Sequence, residues 1–363
     1  MYNMQFGESI FIEDNYEDYN NCYSSSGFLV DFGSLASSEL INKQYENIFF
    51  EMKNQSNPEA LISHFHKDHY SGFFHFAERK KYKNNNIFEH LYIPDIFSLS
   101  SYGEALSLVL IDFLLNNIEI TNNKIHITLL QFVNMICGSS KKLTLLKQGD
   151  IFRNYVVLSP SPENVIHCSK KIFTALPINH QIWINLSHTI MDIINSKVQS
   201  EEQISELFYR NPLERYDSQT LISDIMKIRD SKELPVKINS FGHTANIVFQ
   251  SQRNDDSAVL FTGDAEIGQL KKLESWYYDH YAFYKIPHHG TKNHFYNKID
   301  SDIQFLSNGK YRNYYIDNRY CQDSLLKFCC NCSNRNKKPS FKCKHCTYSS
   351  DIENSFLHFT ISI

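Results

Sequence analysis

The stretch Ser63-His64-Phe65-His66-Lys67-Asp68-His69 sets three imidazoles and one carboxylate side by side. It follows a short apolar segment at residues 60–63 that reads as a strand, so the polar groups fall on the turn beyond it. Imidazole nitrogens and carboxylate oxygens are ligands that suit zinc or manganese. A tight loop can direct His64 and His66 to one ion and Asp68 and His69 to another. An HxHxDH spacing is rare by accident, and a centre built on it needs further ligands from elsewhere in the chain.

Two later regions supply what such a centre lacks. Phe241-Gly242-His243-Thr244 stands directly before an apolar run, and Leu260-Phe261-Thr262-Gly263-Asp264-Ala265 places an acid on a glycine turn after another. A carboxylate there could bridge two cations a few ångströms apart. Lys285-Ile286-Pro287-His288-His289-Gly290-Thr291-Lys292 then closes a strand with paired imidazoles. Strands are predicted at residues 5–13, 27–32, 60–63, 236–250, 258–262 and 283–287, the second ending at Gly33. Residues 92–234 separate the early strands from the late ones and show helical periodicity at 99–115, 118–137 and 201–229. That tract exceeds a normal connection and predicts an inserted helical element.

With 363 residues the chain has the length of about two domains, or of one domain carrying insertions. A composition of 42% hydrophobic and 21% charged residues, with only 12 Gly and 9 Pro, excludes a disordered or fibrous chain. The 36 basic residues nearly cancel the 40 acidic ones, leaving a formal charge of −4, so a nucleic-acid surface must be local. The opening MYNMQFGESIFIED lacks the basic and apolar regions of a signal peptide, and the long apolar runs are interrupted, as by Asp112. The expectation is a soluble, cytoplasmic protein with no membrane partner. In that compartment the 9 cysteines read as thiols and metal ligands rather than disulfides.

Cys329 and Cys332, followed after a gap by Cys343 and Cys346, have the spacing of a zinc ribbon, two knuckles gripping one tetrahedral ion. Cys330 and His345 sit inside the knuckles as alternative ligands. A closed thiolate site has no open position and is structural. The same segment carries Lys327, Arg335, Lys337, Lys338, Lys342 and Lys344 without an acid, which makes it a candidate phosphate surface or protein contact. Cys22, Cys137, Cys168 and Cys321 show no ligand spacing.

The chain resembles the metallo-β-lactamase fold superfamily, whose HxHxDH, His, Asp, His order it matches. A closer resemblance is to the metal-dependent domain of ComEC-like competence proteins: FGES, LVDFGS, SHFHKDHYSG, LFTGDA, KIPHHGTKNH and FLSNGKYRNYY look like its blocks. The resemblance covers residues 1–95, 236–325 and the closing 356–363. It implies an α/β fold, a four-layer αββα sandwich over residues 1–326 with a final strand within 351–363; the mainly helical insertion at about 95–235 and the zinc-ribbon insertion at 327–350 fall outside the resemblance and are expected from the sequence itself. It further implies that His64, His66 and His243 hold one metal, that Asp68, His69 and one of His288 and His289 hold the second, that Asp264 bridges them, and that Asp31 orients ligands from behind. The competence proteins often carry a residue other than His where His243 stands.

Two divalent cations, zinc or else manganese, would lower the pKa of a bridging water and aim it at an electrophilic centre. Asp68, Asp264 and His289 are then the catalytic candidates, with Lys292 placed to meet a non-bridging phosphate oxygen. Arg79-Lys80-Lys81-Tyr82-Lys83 is a second candidate phosphate contact, and His75 and His294 are candidates for proton transfer. The expectation is a phosphodiesterase or nuclease acting on DNA or RNA. The alternatives are a small-molecule hydrolase of a lactone, thioester or cyclic nucleotide, and an effector or adaptor that docks a protein partner through the ribbon or the helical tract.

Overall fold

Alternation of apolar side chains builds the first strands. In a computed structural model, β1 (Ile10–Glu17) and β2 (Tyr23–Val30) pair antiparallel, with Ile12 opposite Phe28. Phe28 and Val30 enter one core and Leu29 another, as the two-residue period of a strand requires. The structure describes residues 4, 6–17, 23–36, 39–78, 87–98, 100–117, 125–199, 213–308, 316–322 and 326–329. α1 (Glu39–Lys53) leads from β2 to β3 (Glu59–Leu61), and α2 (Lys67–Glu78) leads on to β4 (Phe88–Pro94). Such helical crossovers permit parallel pairing, and β2, β3 and β4 are parallel neighbours. β5 (Ser140–Leu146) completes a five-stranded sheet in the order β1-β2-β3-β4-β5.

A seven-stranded sheet contains β6 (Ile151–Phe152), β7 (Tyr155–Ser159), β8 (Val248–Ser251), β9 (Val259–Phe261), β10 (Tyr281–Lys285), β11 (Ser301–Leu306) and β12 (Leu326–Cys329), in the order β12-β11-β10-β9-β8-β7-β6. β9 to β12 are parallel and β6 to β9 antiparallel, so both sheets are mixed and the chain is α/β. One core lies between the sheets. Phe28, Val30, Leu61 and Tyr92 of the first meet Phe152, Val157, Phe249 and Phe261 of the second. Burying each large apolar side chain there contributes about 1.5–3 kcal/mol. Truncating Phe28 to Ala would cost roughly 3–5 kcal/mol.

The helices of the middle tract are α3 (Gly103–Asn117), α4 (Ile125–Cys137), α5 (Pro162–Phe173), α6 (His180–Gln199), α7 (Ser218–Arg229) and α8 (Leu234–Thr244). α3 is apolar nearly all round because other helices surround it, and it joins Leu29, Ile62, Leu91 and Ile93 in the largest core. Caps fix the starts of two helices. Ser161 accepts a hydrogen bond from the Asn164 amide ahead of Pro162, and Asp217 accepts from the amides of Gln219 and Thr220. α9 (Ile267–Lys272) and α10 (Asn318–Gln322) lie near the second sheet, where Leu270 and Tyr320 cover the opposite face with Leu260 and Tyr284.

Several predicted elements differ. The strand expected at 236–250 is α8 followed by the short β8: Pro235 suits a first helical turn, and Ile238 and Phe241 bury one stripe while Val236 faces solvent. The tract at about 95–235, expected to be mainly helical, holds α3 to α7 and strands besides. It supplies β5 to one sheet and β6 and β7 to the other, and its helices share a core with β2 and β3. α1, α5 and α6 escaped the sequence reading, and α2 begins inside the stretch read as a loop. The ribbon expected at 327–350 begins on β12, and Cys329 is paired there with Leu306. The rest of the ribbon, the closing strand and the 79–83 basic run lie outside the described residues. Among the described residues no helix is long and apolar enough to cross a membrane.

Candidate metal centre

Strand ends from both sheets deliver the polar groups to one place. β2 is followed directly by Asp31, which has a left-handed backbone (φ 58) and accepts hydrogen bonds from the Ser63 amide (2.7 Å) and hydroxyl (2.8 Å). These bonds pin the start of the His64-to-His69 turn after β3. Asp68 and His69 occupy the first turn of α2, and the His69 Nδ1–H donates to Asp31 Oδ2 at 2.8 Å. Its Nε2 is thereby left facing Asp264 Oδ2 at 3.4 Å.

The His64 ring is fully buried, with Nδ1 3.1 Å from the Ser63 hydroxyl and Nε2 2.9 Å from His66 Nδ1. The His66 Nε2–H donates to the Asn239 carbonyl at 2.8 Å. Since the outer nitrogens hold the protons, two unprotonated nitrogens face each other across 2.9 Å. That contact is unfavourable as it stands, and a divalent cation held by these imidazoles would relieve it. Burial and the neighbouring imidazoles hold His64 well below its ordinary pKa, and burial with His243 pushes His66 down to about 3, so a proton is a poor filler.

α8 brings His243 to this pair, its ring 4.6 Å from that of His66. The approach depends on Gly242, because a Cβ at that position would come 2.2 Å from His66 Nε2. The turn after β9 carries Asp264. Its Gly263 has a φ of +49, and a Cβ there would strike Asn246 Oδ1. His288 (φ 46) and His289 (φ 56) follow β10 in a tight turn. The His289 Nδ1–H donates to the Ser307 carbonyl at 2.7 Å, and Nε2 lies 3.0 Å from Asp68 Oδ2 and 3.5 Å from Asp264 Oδ2. His288 Nε2 is 3.6 Å from the same Asp264 oxygen.

These side chains form groups whose potential ligand atoms lie within 4.8 Å of one another: His64, His66 and His243; Asp68, His69, Asp264 and His289; His243, Asp264 and His288; and Glu8, Asp31 and His69. The donor set fits divalent cations. His69, His66 and His289 each give their outer N–H to a carboxylate or carbonyl, the arrangement that fixes a ligating tautomer. His69 Nε2 is buried with only Asp264 Oδ2 opposite it, and His243 Nδ1 has only Glu266 Oε1, at 3.5 Å. Burial opposes charge on Asp264, yet His288, His289 and His69 hold it ionised, well below its ordinary pKa. Burial likewise opposes a charged His69, but Asp264, Asp31 and Asp68 outweigh it and raise its pKa.

The two histidines left open by the sequence part company. His289 stands with Asp68, His69 and Asp264, whereas His288 turns toward His243. Lys292 is exposed and outside all the groups. His294 lies beside His288, its Nδ1 2.8 Å from His288 Nδ1, and burial pushes it down to about 4. His75 packs on the Tyr45 ring in the helical core. Cys137 and Cys168 are free thiols. Cys22, Cys330, Cys332, Cys343, Cys346 and His345 lie outside the described residues.

Sequence reasoning missed three polar groups. Lys285, at the end of β10, and Glu8 are both buried and ion-paired at 2.6 Å. Their signal was a lysine and a glutamate adjoining apolar runs, in KIPHHG and FGES. Asp112 on α3 was read only as a break in an apolar run. Burial pushes its carboxyl up to about 7, with His243 opposing and Asp68 adding to the shift. Comparison of the chain with protein-family models, with curated proteins and with solved structures finds no match.

Proposed function

We propose that this chain is a metal-dependent hydrolase of the metallo-β-lactamase fold, a four-layer αββα sandwich, that cuts phosphodiester bonds in DNA or RNA. The observation that carries the reading is the position of Asp264: it belongs both to the group with Asp68, His69 and His289 and to the group with His243 and His288. One acid shared by neighbouring ligand groups is what a pair of cations needs. Two sheets packed over a common core, with helices against their other faces, support the sandwich.

When bound, divalent cations in this nest would acidify water and take up charge developing on a substrate oxygen. The imidazole-rich donor set favours zinc, with manganese as the alternative. The chain's own residues prepare the site. Asp31, the Asn239 carbonyl and the Ser307 carbonyl take the outer N–H groups of His69, His66 and His289, so the inner nitrogens are free to ligate. Lys292, exposed and three residues beyond His289 in the chain, is the cation we assign to a non-bridging phosphate oxygen. The cysteine segment we read as a structural zinc ribbon whose lysines add a phosphate surface.

The test is cleavage of single- and double-stranded polynucleotides and of bis-p-nitrophenyl phosphate by the full chain supplied with zinc or manganese, beside a His64→Ala control and elemental analysis of both. Cleavage that falls to background in the control supports the proposal. A wild type that holds its cations yet cleaves none of these substrates overturns the choice of phosphodiester, and one that holds no cation overturns the hydrolase itself.

A further inference from the structure

The pair Glu8 and Lys285 is the charged feature of the site that the ligand groups leave unused. Both side chains are 1% exposed, and Lys285 Nζ lies 2.6 Å from Glu8 Oε2. Full burial of a lysine is rare and needs compensating partners. Lys285 has two more. Its ammonium donates to the Gly263 carbonyl at 2.6 Å and stands 3.6 Å from Asp264 Oδ1. The other oxygen, Asp264 Oδ2, faces Nε2 of His69, His288 and His289 at 3.4, 3.6 and 3.5 Å. The two oxygens of one carboxylate thus look toward different kinds of neighbour.

We propose that Lys285, anchored by Glu8, is a positioning residue that holds the Gly263 turn and draws one oxygen of Asp264 to itself, so that the other is presented to the imidazoles. The inference rests on the metal-centre reading above. The register supports it: Lys285 is paired with Phe261 across β10 and β9, just before the turn that carries Asp264, and the Thr262 hydroxyl donates to the Lys285 carbonyl at 2.6 Å. Lys285 therefore grips that turn from its side chain and from its backbone. The same lysine accounts for the group of Glu8, Asp31 and His69, which has the appearance of a further cation site. Positive charge already reaches Glu8 there from Lys285, so we assign no additional ion to it.

A lysine that only neutralised Glu8 would be dispensable once Glu8 was neutral, which defines the experiment. Metal-depleted full-length wild type, Lys285→Met and the pair Glu8→Gln with Lys285→Met are titrated with Co²⁺. Bound cobalt is counted, visible spectra are recorded and thermal unfolding is followed by circular dichroism. Any thiolate bands from the cysteine segment, which all three proteins share unchanged, are subtracted as a common background. Lys285→Met leaves Glu8 buried and unpaired and loses stability; the double variant removes that charge and recovers a cooperative transition. The expected result is that this folded double variant still binds its weaker non-thiolate cation about 10–100-fold less tightly than wild type, with an altered imidazole–carboxylate spectrum. Wild-type affinity and spectrum in the double variant overturn the proposal, because Lys285 is then only a counter-ion. A wild type that takes up no cobalt outside the thiolate site overturns the metal reading itself, and that failure is visible before any variant is compared.

Discussion

Two halves of the nest differ in charge although a few ångströms separate them. The trio of His64, His66 and His243 is made only of imidazoles, and burial keeps His64 and His66 neutral. The other half sets the carboxylates of Asp68 and Asp264 against His69 and His289, whose pKa values the acids raise against the pull of burial. Neutral imidazoles suit zinc, whereas carboxylates also accept manganese. A cation entering the second half would displace protons, and one entering the first would meet bare nitrogens. The halves should therefore fill in different order and with different selectivity.

The largest effect is expected at the shared acid. Asp264→Asn should deplete both halves and abolish cleavage, as read by elemental analysis and assay. If one cation stays at wild-type affinity, the halves are independent and the sharing is wrong. Next comes the asymmetry itself: Asp68→Asn should weaken the carboxylate half while the trio keeps zinc against manganese, and His66→Asn should do the reverse. Competition titrations that show the same loss for both variants would erase the distinction. A smaller change is expected behind the ligands. Asp31→Asn keeps an acceptor for His69 but removes the charge, and should lower cation affinity about 10–100-fold without unfolding the chain.

The smallest effect concerns Asp112, close enough to both halves for His243 and Asp68 to influence its ionisation. Its folded pKa of about 7 stands above the ordinary 3.8, because burial favours the neutral acid. A raised carboxyl pKa contributes stability that is fully present below 3.8 and is lost as pH rises to about 7. Metal-free Asp112→Asn should therefore melt a few degrees above metal-free wild type at pH 8 and at the same temperature near pH 3. Equal melting at both pH values would remove Asp112 from the electrostatics of the nest.

Most of the clustered imidazoles and acids were readable because their residue types are concentrated: His64, His66, Asp68 and His69 follow one strand, and His288 with His289 follows another. Their partners were not. Glu8 and Lys285 lie far apart in the chain, and only the packing of the sheets brings them to 2.6 Å. The choice between His288 and His289 turns on backbone angles that adjacent identical residues do not encode. Much of the fold beyond the strands was hidden by context. Apolar residues of α8 passed for a strand until Pro235 and the exposed Val236 set the helical face. β6, with the sequence IF, is too short for any periodicity to declare it.

Asp31, His288 and His289 share a left-handed backbone that glycine would adopt at no steric cost. Each non-glycine residue held this way forgoes about 1–2 kcal/mol. Glycine at these points would relax the chain but delete an anchor or a donor. The nest is thus a local debit in a fold whose strength lies elsewhere, and a descendant released from its chemistry would be expected to drift toward glycine at these positions first.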